Sequence, residues 1–410
     1  MSKMRLFAVI AAAALALTSC GGSSGSSTKE SGGDGGGNTA AASGFTPPKL
    51  TALEKLGTPE GELNIVAWAG YAEDGSTDPK VDWVTPFEKA TGCQVNVKNG
   101  LTSDDMVSLM KTGQYDVVSA SGDATLRIIV DNDAAVINPA LLTNWNDLDP
   151  LLKTKPWNSV NGVNYGVPHG WGANYLMWNT DVVTTPPDSW GVVYDKASPY
   201  SGKVTAYDAP IYIADAALYL KTAKPELGIE DPYSLNQAQF DASVALLKDQ
   251  HSIIGEYWND YTKTLGAFEQ GSTVLGTTWQ VIKNLATNTD KLQTVIPKEG
   301  STGWSDTWMV SSKAAHPNCM YMWMDYITSP NVQAQVAYYF GEAPANPKAC
   351  AEIATLYADE THCDVYKATD EAFAKAISFW ATPRKKCLNG KGSDCVPFVD
   401  WIKAWTEIKG

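Results

Sequence analysis

The chain has 410 residues, a formal net charge of −14 and 19% charged residues. So acidic a protein is a poor partner for nucleic acid, whose phosphates need a basic face. Its three arginines, Arg5, Arg127 and Arg384, also leave few guanidinium forks for phosphate or sulfonate groups, although helix N-termini can hold anions without them.

In chain order, residues 1–20 read MSKMRLFAVIAAAALALTSC. Lys3 and Arg5 precede an apolar run at 6–17. Such a run is too short to span a bilayer and reads as an export leader. Its end, Leu17-Thr18-Ser19-Cys20, resembles a bacterial lipoprotein cleavage box. That resemblance implies loss of residues 1–19, lipidation of Cys20 and an extracytoplasmic protein anchored to the cell membrane, on its outer face or in the periplasm. Residues 20–58 are dominated by Gly, Ser, Ala and Thr up to Pro48. They bury too little apolar surface to offset ordering entropy and are expected to form a linker. A flexible tether of this length reaches about 30 Å on average.

Residues 62–68, ELNIVAW, read as a buried strand. Asp78-Pro79 has the form of a helix start, and Val81, Val84, Phe87 and Glu88 carry a helical stripe ending at Thr91-Gly92. A strand is expected at 93–97, a helix at 103–111 and a strand at 115–120. Further strands are expected at 202–206 and 272–277, with a helix at 237–248. This alternation predicts an α/β fold with a mostly parallel sheet and helices on both faces. No later run of 18 or more apolar residues occurs.

Beyond Cys20 there are six cysteines, and an even number in an exported chain suggests disulfides. Six cysteines allow 15 pairings. Cys387 and Cys395 flank a turn-rich loop, Cys350 and Cys363 are close in sequence, and Cys93 would then pair with Cys319. No C-x-x-C occurs and the four histidines are scattered, which argues against zinc.

Catalytic signatures are weak. Ser108–Lys111 fits S-x-x-K and Lys111-Thr112-Gly113 fits K-T-G, but the two share one lysine where the penicillin-binding enzymes need two elements. No nucleophile–base pair is evident, and no enzymatic activity, cofactor or metal is expected. The 15 tryptophans are more informative. Trp68, Trp171, Trp279 and Trp304 lie at predicted strand ends with Asp123, Asp208 and Asp306. In open α/β sheets, ligands bind beyond the carboxyl ends of strands. Ring faces attract ammonium groups and carboxylates accept their hydrogen bonds, so this set suits a cationic amine.

LNIVAWAGY, YDVVSAS, VPHGWGANYLMWN, TVIPKEGSTGWSD and FGEAPAN resemble, in order and spacing, the solute-binding proteins of ABC importers, specifically the spermidine/putrescine-binding group. The likeness runs from about residue 62 to about residue 380. It implies a two-lobed, type II binding-protein fold with the ligand between the lobes, a polyamine ligand and a permease partner. It also implies that Trp304 stacks on the ligand, Asp306 is the main carboxylate, Trp68, Tyr71 and Ser121 belong to binding loops, and Trp279 is a wall. Asp208 falls near a second carboxylate. Asp123 and Glu342 depart from the family, which has an aromatic and a tyrosine there, and Tyr212 stands near the place of another acid.

The expected lobes are 59–170 with 305–350, and 171–304 with 351–410, in a monomer. A sugar, another small amine, or ferric ion held by Tyr338 and Tyr339 are the alternatives. The last is weakened because VQAQVAYYF reads as an amphipathic helix whose tyrosines face the core.

Overall fold

The computed structural model describes residues 52–387 and 393–410. The expected leader, Cys20 and most of the expected linker lie outside these residues.

Two sheets organise the chain. The first has the strand order Ala343–Pro344, Gly166–Ala173, Ser301–Val310, Val117–Ala120, Glu62–Ala67, Gln94–Asn99, and Ile377–Phe379 also pairs with Ser301–Val310. Glu62–Ala67 runs parallel to both neighbours, whereas Ser301–Val310 is antiparallel to Val117–Ala120 and to Gly166–Ala173. The second sheet has the order Leu292–Val295, Tyr175–Asn179, Leu275–Thr278, Val204–Tyr207, Ile254–Trp258.

Sequence chemistry accounts for this layout. Val117–Ala120 is apolar but for Ser119 and wholly buried, as expected of a strand covered on both faces. Helix Ser103–Lys111 starts where Thr102 accepts from the Asp105 N–H, with Asp104 and Asp105 in the first turn. Each sheet carries its own core. Leu63, Ile65, Phe87, Trp308 and Trp323 fill one, and Leu176, Trp258, Phe268, Leu275 and Trp401 fill the other. Between the sheets the chain passes at Asn174, which separates Gly166–Ala173 from Tyr175–Asn179, at residues 296–300, and near Trp380.

Three expectations differ from the structure. The sheets are mixed rather than mostly parallel, because Ser301–Val310 runs antiparallel to Val117–Ala120 and Gly166–Ala173, and Tyr175–Asn179 to Leu292–Val295 and Leu275–Thr278. The helix expected from residue 79 is Val84–Thr91. Asp78 instead accepts from the Lys80 N–H, Asp74 bridges to Asp82, and the Asp82 carboxylate receives the Thr85 N–H. Residues from 351 onward also divide between the cores. Cys363, Ala368 and Ala374 pack on the first, and Trp380, Ala381, Val396 and helix Phe398–Lys409 pack on the second. The intervening strand Ile377–Phe379 pairs with the first sheet, which holds this stretch there.

All three expected disulfides are present: Cys93–Cys319, Cys350–Cys363 and Cys387–Cys395. Among the described residues no helix is long and apolar enough to cross a membrane.

Candidate binding site

Ser301–Val310, STGWSDTWMV, is buried along its whole length. Its polar side chains must therefore find partners inside the protein. Opposite Asp306 the pairing register shifts, because Ser305 pairs with Trp171 while Thr307 pairs with Pro168. The extra residue on the facing strand, at His169-Gly170, makes a bulge of the kind that re-aims side chains.

Around Asp306 the loops converge. Tyr71 follows the first strand, and its hydroxyl lies 2.7 Å from Asp306 Oδ2 and 2.9 Å from Glu342 Oε2. Ser121 follows Val117–Ala120, and its hydroxyl donates to Asp306 Oδ1. Glu342 stands just past Gly341, which ends helix Pro330–Phe340 in a left-handed conformation at φ +86°. Its carboxylate lies flat over Gly170. A Cβ there would come within 2.3 Å of it, so any other residue would displace the carboxylate from this position. His169 Nε2 is 3.5 Å from Glu342 Oε1, and both side chains are fully buried.

Burial dominates the electrostatics. It pushes Asp306 up to about 7 despite the Ser121 and Tyr71 donors, with the Asp123 charge adding to the rise. Burial, then the nearby Asp306, hold Glu342 well above the usual carboxylate range. Burial and the two acids raise Tyr71 as well. His169 is driven down to about 3 by burial and is neutral.

An aromatic path leads from this cluster to the second sheet. The Phe340 ring lies 4.7 Å from Tyr71 and 6.1 Å from Trp304, and Trp304 lies 6.0 Å from Trp279. Trp279 follows strand Leu275–Thr278 and meets Trp258 at 5.0 Å and Tyr207 at 5.8 Å. Its indole N–H donates to Asn174 Oδ1 at 3.0 Å. Asn174 Nδ2 donates to Thr302 Oγ1 at 2.7 Å, and Thr302 donates to Asp215 Oδ1 at 2.9 Å. The relay fixes the plane of Trp279 from a buried acid on helix Ile213–Ala223.

Burial pushes Asp215 up to about 7 from 3.8. The fold favours its neutral form, so its contribution to stability is complete below about pH 4 and is lost as pH rises through about 7. Asp215→Asn, which mimics the neutral acid, is expected to gain stability relative to wild type across that interval. Urea midpoints at the two ends of the interval measure this, and a constant difference would show that Asp215 is charged throughout.

The structure brings together Tyr71, Ser121, Asp306 and Glu342 directly, and joins Trp304 and Trp279 to them through Phe340. Asp123 is buried nearby, accepts from Ser103 Oγ at 2.8 Å, and is pushed up to about 6 by burial. Trp68 is half-buried beside Ser119, whose hydroxyl accepts its backbone N–H. Two expected residues stand apart. Trp171 is built into the first core, 5.7 Å from the Phe379 ring and 6.2 Å from Phe373. The glycines flanking it carry the site instead, Gly170 beneath Glu342 and Gly172 beneath Trp304. Asp208 is taken from within the chain: Lys409 Nζ lies 2.6 and 2.7 Å from its two oxygens, and Trp405 Nε1 donates at 3.1 Å.

Residues that the sequence reading missed are His169, Phe340, Asn174 and Asp215. His169 stands in PHGWG, two residues from a tryptophan that carries the stronger binding-site signal. Tyr338 and Tyr339 are engaged in packing, Tyr338 stacked on Tyr357 at 3.9 Å and Tyr339 6.0 Å from Trp83. Among the described residues no group of three His, Cys, Asp or Glu could hold a metal ion.

The chain is similar in sequence and in fold to known binding proteins. The chain is 26% identical over 305 residues to the spermidine/putrescine-binding periplasmic protein of Escherichia coli (strain K12), covering 70% of this chain and 82% of that protein. It is 24% identical over 285 residues to the putrescine/agmatine-binding protein of Pseudomonas aeruginosa, covering 65% and 77%. Its fold matches the crystal structure of the spermidine/putrescine ABC transporter substrate-binding protein of Streptococcus pneumoniae, with a TM-score of 0.64 at 18% identity over 86% of this chain and 100% of the other. The fold is thus the two-lobed one of periplasmic binding proteins. The family of bacterial extracellular solute-binding proteins matches residues 82–362, well over half of the sequence, and the chain belongs to that family.

Proposed function

We propose that this protein is the extracytoplasmic receptor of an ABC importer and captures a small polyamine for delivery to permease subunits. One observation carries the reading. Asp306 and Glu342 are buried on one hydroxyl, with Asp123 close by, and neither of the pair meets a lysine or arginine among the described residues. Buried acids without a cation are costly, and an ammonium group relieves that cost. The aromatic path through Trp304 and Trp279 supplies apolar faces for methylenes and a cation–π surface. Because Asp208 is held by Lys409, charge recognition is concentrated at the Asp306 end. The leader ending in Cys20 supports a lipid anchor, and the three disulfides fit an oxidising compartment.

The test is a thermal-shift and calorimetric panel of putrescine, spermidine, γ-aminobutyrate, glycine betaine and maltose. A true ligand at 100 times its Kd adds about 2.7 kcal/mol of stability. Putrescine or spermidine is expected to lead the series, and Trp279→Leu to weaken that amine by about 2 kcal/mol. A neutral sugar that outcompetes every diamine overturns the amine assignment. Unchanged affinity in Trp279→Leu removes that ring from the site.

A further inference from the structure

The Tyr71 hydroxyl has one hydrogen and faces two carboxyl groups, Asp306 Oδ2 at 2.7 Å and Glu342 Oε2 at 2.9 Å. It can donate to only one of them. The other contact is then between two oxygen acceptors unless that carboxyl carries a proton and donates to the tyrosine oxygen. Hydrogen-bond counting decides which acid holds it. Asp306 receives the Ser121 hydroxyl as well as Tyr71, so two donors favour its charged form. Glu342 Oε1 has no hydrogen-bond partner among the described residues. We propose that Glu342 is a proton site: without a bound cation it stays protonated and donates to Tyr71, and an ammonium ligand at the cluster displaces that proton to solvent.

Every group facing Glu342 is compatible with this. His169 packs edge-on against Tyr71 at 4.3 Å, and both its ring nitrogens are buried without a hydrogen bond, so it is neutral and offers Glu342 no charge. His362 Nε2 meets the Glu342 backbone carbonyl at 3.0 Å rather than the carboxyl. Tyr366, whose hydroxyl accepts from Asn284, adds a neutral phenol, and Asp359 beyond it adds only negative charge. Asp306 repels a second anion from the other side. Gly170 leaves room for the carboxyl, since a Cβ there would overlap it. The exchange balances: the O–H bond of Glu342 breaks, its electron pair stays on the carboxylate, the proton leaves to buffer, and the ligand ammonium replaces its charge. Affinity for a cation should therefore rise by about tenfold per pH unit while Glu342 holds its proton.

The release half rests on the amine reading; the proton half does not, and the experiment separates them. Infrared spectra of the ligand-free protein are recorded in light and heavy water, with glutamate carbon-13 labelling. A protonated-carboxyl stretch near neutral pH that shifts with the label and vanishes in Glu342→Gln is expected. Absence of that band, including the case in which the proton resides on His169, overturns the proposal whatever the ligand. Glutamine can still donate to Tyr71, so the variant should fold. Calorimetry with putrescine in phosphate and Tris buffers then counts protons. Release of close to one proton more by wild type than by Glu342→Gln is expected. Binding with no proton release overturns the exchange. Failure of putrescine and spermidine to bind overturns the amine reading and with it the exchange, while the infrared band still decides the proton site.

Discussion

Asp306→Ala is expected to weaken amine binding by about 2–5 kcal/mol, the usual loss when one partner of a buried hydrogen-bonded charge pair is removed. That is roughly 30- to several-thousand-fold in Kd. The size follows from its surroundings. Asp306 is almost fully buried, and two hydroxyls already orient its oxygens, so it is held ready for an ammonium group without rearrangement. Loss of affinity should not come from unfolding. Burial makes the charged carboxylate unfavourable in the fold, so its removal relieves strain as well as deleting two hydrogen bonds. Calorimetry on a variant with a wild-type circular dichroism spectrum is the measurement, and an unchanged Kd would take Asp306 out of the site.

The largest stability effect is expected from the Cys93–Cys319 bond. It joins residues 226 apart in sequence, linking the segment after helix Val84–Thr91 to helix Pro317–Ile327. In the chain-entropy picture, a loop of this length gives about 5 kcal/mol. Both sulfurs are fully buried in the first core, so a double serine variant also places two hydroxyls there. Cys387–Cys395 closes a separation of only 8 residues and should contribute about 2–3 kcal/mol. Urea unfolding of the two double variants compares them. Equal losses would show that loop length does not set the effect.

Much of this architecture was legible because it is local. Helix Ser103–Lys111 has the bounds that its cap and closing Thr-Gly announce. The strand ends carrying Tyr71, Ser121 and Trp279 follow from apolar runs that stop at small or polar residues. What was hidden depends on distant chain segments. Nothing near Asp208 in sequence signals that Lys409, 201 residues later, occupies it. The importance of Gly170 and Gly172 lies in what leans on them, Glu342 and Trp304, and neither is a neighbour in sequence. The early helix start was misread because Asp78-Pro79 has the chemistry of a cap, yet its carboxylate closes a turn instead. The return of residues 351–376 to the first core depends on Cys350–Cys363 and on the pairing of Ile377–Phe379, neither of which a periodicity reveals.

Trp304 and Asp306 sit two residues apart on one fully buried strand. Side chains at that spacing share a face of the strand, and their separation is fixed by the backbone. Trp279 belongs to the other sheet and is held by Asn174, where the chain passes between the two. On the amine reading, the strand therefore sets the spacing between ring and carboxylate, and Trp279 meets that ring from the second sheet at 6.0 Å. Loss of the Asp306 charge is then expected, on that same reading, to slow association and loss of the Trp279 ring to shorten residence time, and stopped-flow fluorescence separates the two.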